Sequence, residues 1–155
     1  MTSATVSWGR VIRPTLAGGL AFWAANFAIS LTPVAATYRA ALSIPYWPMT
    51  VAALGGGLLI AGCVNGLLLA VQDRLPGGSS IVKATLFSLL AMGIVEAFSI
   101  LVDIDHLSIY HVIGVAMNVP RFVALGVTLG WLFDRSAPIT GMRRGPADRI
   151  AGFVK

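Results

Sequence analysis

Four apolar blocks, each about as long as a bilayer is thick, leave this chain few ways to fold. They run over residues 14–36, 49–71, 81–102 and 111–133. A helix rises about 1.5 Å per residue, so each block reaches ~33 Å, against a hydrocarbon core of ~30 Å. A helix in a soluble protein shows an apolar stripe on one side, whereas these blocks are apolar nearly all round. Composition points the same way: 57% of residues are hydrophobic and 11% charged, with a mean hydropathy of +0.83. A soluble domain carries about 25% charged residues, because its surface must face water. The expected architecture is an all-α integral membrane protein, a four-transmembrane-helix bundle. Residues 1–13 form a short N-terminal segment, 14–133 the membrane domain and 134–155 a basic tail.

Prolines and polar runs punctuate the blocks. Pro14 suits the first turn of a helix, where its missing N–H leaves nothing unpaired. Pro48 is the expected start of the second span, and Pro33 is expected to kink or end the first. The connection over 37–48 carries a Tyr46-Trp47-Pro48 cluster suited to a membrane–water interface. The connection over 72–80 is polar and rich in Gly and Ser, and that over 103–110 is tight.

Basic residues set the expected orientation. Arg10, Arg13, Arg74, Lys83, Arg135, Arg143, Arg144, Arg149 and Lys155 fall on one side of the four-span arrangement, and Arg39 alone on the other. The positive-inside rule then places both termini in the cytoplasm, in a multi-pass protein of the plasma (inner) membrane. The expected partner is the lipid bilayer, with anionic lipid at the basic tail. No basic stripe interleaved with aromatics speaks for nucleic acid. A rival reading takes Arg10, Arg13, the first apolar run and Val34-Ala35-Ala36 as a secretory signal. Against it, the run exceeds the usual ~7–15 residues and Asn26 interrupts it.

Glu96 falls inside the third block and Arg121 inside the fourth. An ionisable side chain at that depth is costly and marks a site by default. Thr85, Ser88, Met92, Glu96, Ser99 and Asp103 recur every three or four residues, which aligns them on one helix face. His111, Gly114, Asn118, Arg121 and Thr128 do the same on the next. A short hairpin would bring the two stripes together, at depths that agree to within ~6 Å, a gap that an arginine side chain spans. The expectation is a direct Glu96–Arg121 ion pair, with Asn118 as hydrogen-bonding neighbour and Ser99, Asp103 and His111 leading outward. Removing one charge of such a pair would cost roughly 3–5 kcal/mol.

Two readings of this cluster compete. One is a structural ion pair in a scaffold or assembly subunit. The other, adopted here, is a site that binds or conducts a small solute, ion or proton. A third class, a metal-dependent membrane enzyme, would use Asp103, Asp105, His106 and His111, since carboxylates with imidazoles bind Zn²⁺ or Cu²⁺. Their spacing matches no metal motif; HExxH, paired CxxC, GxSxG and the phosphate-cradling glycine loop are all absent. No catalytic residue and no cofactor is expected. The single cysteine, Cys63, cannot form an intramolecular disulfide. Asn26 and Asn65 are expected to hydrogen-bond between helices. Gly62–Gly66 and Gly126–Gly130 are small-xxx-small patterns that let helices approach closely, within the chain or in a homo-oligomer or membrane complex.

Overall fold

The computed structural model of the chain describes residues 8–71, 78–102 and 109–136. Among them it is all-helical: α1 (Trp8–Ser30), α2 (Pro33–Ala41), α3 (Tyr46–Val71), α4 (Ser80–Val102) and α5 (Ile109–Ser136). Helices α3, α4 and α5 are each long and apolar enough to cross a membrane. The α1–α2 pair, bent by 87°, makes a fourth candidate if its two arms are one broken span.

The long helices run antiparallel in the order α3, α1, α5, α4, with α3 and α4 touching over a smaller area. Two ends follow. The start of α1, the end of α3, the start of α4 and the end of α5 share what is called here the terminal end. The α1–α2 bend, the start of α3 and the start of α5 lie at the far end. The core sits toward the terminal end, where Phe22, Ala61, Val64, Leu68, Phe122, Leu125 and Leu129 are buried together. Phe22 meets Phe122 edge-on, ring centroids 5.2 Å apart, the geometry an aromatic quadrupole prefers.

Close packing of α4 on α5 depends on glycine. A Cβ added at Gly126 would lie 2.5 Å from the Cα of Thr85, and one at Gly130 would collide with the Ile81 backbone. The Gly126–Gly130 pattern is therefore used within the chain. Away from α5, α4 turns Leu86, Leu90, Ile94, Phe98 and Leu101 outward, each more than half exposed. A continuous apolar face of that kind suits lipid and not water.

The first span departs most from expectation. Helix α1 begins at Trp8, so Pro14 lies inside it and not in its first turn. An interior proline cannot donate to the carbonyl four residues back and crowds the preceding turn. Asn65 of α3 reaches this region, its Nδ2 donating to the Val11 carbonyl at 3.0 Å and to Thr15 Oγ1 at 3.3 Å. A side chain from a neighbouring helix thus bonds the α1 backbone one turn before the proline. Asn65 makes the expected interhelical bond; the Nδ2 of Asn26 is buried with no acceptor.

At Pro33 the chain starts a new helix. Thr32 is extended and its Oγ1 accepts from the Ala35 N–H at 3.3 Å, with Pro33 at the first helical position. A hydroxyl N-cap followed by proline is a helix-start signature. Arg39 of α2 folds back to donate from Nη1 to the Ser30 carbonyl at 3.0 Å. It thereby supplies a cation and a donor at the C-terminus of α1, where carbonyls lack partners and the helix dipole is negative.

Candidate functional site

The first turns of α5, at the far end, carry His111, Gly114, Asn118 and Arg121 on one face, as their spacing requires. Helix α4 brings Glu96 against them. The carboxylate and the guanidinium do not meet directly: Asn118 stands between. Its Nδ2 donates to Glu96 Oε1, and its Oδ1 accepts from Arg121 Nη1 at 2.6 Å. A carboxamide carries a donor and an acceptor on one carbon, so it can face an anion and a cation at once. The other carboxylate oxygen, Oε2, lies 3.9 Å from His111 Nε2, an attraction only when His111 is protonated.

Register explains why the direct pair is replaced. Gly126 faces Thr85 and Ser88 across the hairpin, and Gly130 faces Ile81. Carried toward the far end, that antiparallel register sets Asn118 opposite Glu96. Arg121 then lies about one turn, ~5 Å, closer to the terminal end. The amide fills the offset that sequence spacing assigned to the reach of the arginine. Of the remaining expected members, Ser99 is exposed and hydrogen-bonds none of these groups. Asp103, Asp105 and His106 lie outside the described residues. Among the described residues, no three His, Cys, Asp or Glu side chains come together to hold a metal.

The sequence reading did not foresee what α2 contributes. Because α1 stops at Ser30, α2 crosses beside the first half of α5. Tyr38 packs over Gly114, where an added Cβ would come within 2.9 Å of the phenolic oxygen, and its ring lies 6.4 Å from that of Tyr110. A cavity of about 170 Å³ remains between them. It is lined by Ser30 from α1, Ala35, Tyr38 and Arg39 from α2, Ile44 and Met49 from the next segment, and Gly114, Met117, Asn118 and Arg121 from α5. A cavity of ~150 Å³ accommodates a benzene-sized molecule. Arg39 lies over the Tyr46 ring at 5.2 Å while it holds the Ser30 carbonyl. The Nε of Arg121 is buried and meets no acceptor. Glu96 is not part of the wall; it supports Asn118 from behind.

Thr32-Pro33 is a local signal for a helix start, although Pro33 is expected above only to kink or end the first span. The helix begun there, Pro33–Ala41, brings Tyr38 over Gly114, which is already on the stripe.

No family model, no curated protein and no solved structure matches this chain. Fold and composition define its class: an all-helical protein whose three to four long apolar helices are suited to a membrane.

Proposed function

We propose that this chain is a four-span protein of the plasma (inner) membrane, with both termini cytoplasmic, that binds a small solute in the cavity between α2 and α5 and does not transform it. The observation that carries the reading is the cavity itself. It is large enough for a small molecule, and Asn118 and Arg121 stand on its wall as orienting polar groups among apolar ones. That mixture is typical of ligand sites. Binding is favoured over conduction because Phe22, Phe122, Leu125 and Leu129 fill the bundle toward the terminal end. The basic bias of the alternate connections supports the orientation. A scaffold role is less well supported, since Gly126 and Gly130 are occupied within the chain by α4.

Topology is tested by cysteines at Ser79 and Ser108, which should label from opposite sides of the membrane; labelling from one side removes the four-span arrangement. Ligand binding is tested by thermal stabilisation, because a ligand that binds only the folded state raises Tm. A panel of water-soluble small molecules should contain compounds that stabilise the purified protein but not a Met117→Trp variant, whose indole fills the cavity. Equal stabilisation of both by every active compound would remove the cavity from the reading.

A further inference from the structure

We infer that the cavity receives a small organic acid, its carboxylate facing Arg121 and Arg39 and its short apolar body lying against Ile44, Met49 and Met117. This rests on the cavity being a binding site and adds the chemistry of the ligand. Among the described residues, two guanidinium groups stand on the wall and no carboxylate does. Glu96 reaches Arg121 only through the Asn118 amide, and its other oxygen faces His111. Arg39 is held by a carbonyl and an aromatic ring, neither of which cancels its charge. Arg121 is satisfied on one side only: Nη1 donates to Asn118, while Nε is buried without an acceptor.

A guanidinium with no direct ion partner is costly in apolar surroundings, and an anion bound between two of them offsets that cost. Among anions, a carboxylate fits best. Its two oxygens match the guanidinium fork, and the remaining wall asks for an apolar body that phosphate and sulfate do not have. Methionine adapts to irregular shapes, so Met49 and Met117 can close around short aliphatic or single-ring acids alike. At about 170 Å³ the cavity has the volume of a short acid and not of a whole long acyl chain.

The test uses the full chain in nanodiscs of zwitterionic phosphatidylcholine, titrated with benzoate, butyrate, benzamide and inorganic phosphate and read by calorimetry. Benzoate and butyrate should bind saturably. Benzamide, the same shape without the charge, should bind at least about tenfold more weakly, and phosphate should not compete. Arg121→Gln should lose the preference for benzoate over benzamide, and Arg39→Gln should reduce it. If Arg121→Gln does not fold, Met117→Trp, which keeps both arginines, should lose benzoate binding. Equal affinity for benzoate and benzamide would overturn the acid while leaving a solute site standing. Absence of binding by every probe would overturn both. Effective competition by phosphate would overturn the requirement for an apolar body. Loss of benzoate binding in nanodiscs containing phosphatidylglycerol, with Arg121-dependent uptake of that lipid, would overturn a soluble acid in favour of a lipid headgroup.

Discussion

The α4–α5 hairpin is two different interfaces along one pair of helices. Toward the terminal end, Gly126 and Gly130 bring the backbones together until no side chain fits between them. Toward the far end, the same helices are joined by Glu96, Asn118 and Arg121, and a cavity opens beside Asn118 and Arg121. The first region gains from contact alone, since lipid offers no hydrophobic drive between helices and close packing must supply the attraction. The second holds groups that contact alone cannot satisfy. A bundle built only on the first plan would be rigid and closed. The second costs stability and leaves room for a ligand, as sites generally do.

The largest effect should come from the bridge. Asn118→Leu leaves the partly buried Glu96 and Arg121 without their shared hydrogen-bond partner and should destabilise by about 3 kcal/mol in a detergent unfolding titration. A loss no larger than that of a neutral interhelical amide would mean that the two charges are solvated by other means, and the contrast between the regions would shrink.

Overpacking tests the other region. Gly126→Val forces a side chain into the Thr85 backbone and should cost about 1–3 kcal/mol. The control is Gly93→Val on α4, where nothing lies within 4 Å of an added Cβ; it should be close to neutral. Equal effects at the two glycines would deny the close approach. Asn65→Leu comes next, at about 0.6–2 kcal/mol. It removes the amide that bonds Val11 and Thr15. Smallest is Thr32→Ala, at ~1 kcal/mol for a lost N-cap. Its value lies in the cavity: if α2 is set by that cap, the variant should also weaken ligand binding.

How much of this was legible beforehand follows from what each feature depends on. Helices α3, α4 and α5 fall within a few residues of the expected 49–71, 81–102 and 111–133 because uninterrupted apolar length decides them. The first span shifted at both of its prolines: Pro14 lies inside α1, one turn from the Val11 carbonyl that Asn65 contacts, and Pro33 begins a helix that Arg39 ties back to Ser30. In the site, periodicity aligned His111, Gly114, Asn118 and Arg121 on one face. The direct ion pair failed on register: a one-turn offset between α4 and α5 is fixed by the glycine contacts and cannot be counted from span ends. The cavity depends on the direction taken by α2, which no local pattern specifies.

The contrast between a filled half and an open half is tested most directly by thiol accessibility. Single cysteines placed at Met117 and at Leu125, in a Cys63→Ser background, sit two turns apart on α5. One lines the cavity and the other is fully buried in the core. In membranes, a small water-soluble thiol reagent should label the cysteine at 117 and leave that at 125 unmodified, and benzoate should slow the first reaction. Equal labelling at both positions, or none at 117, would contradict the open cavity on which the proposed function stands.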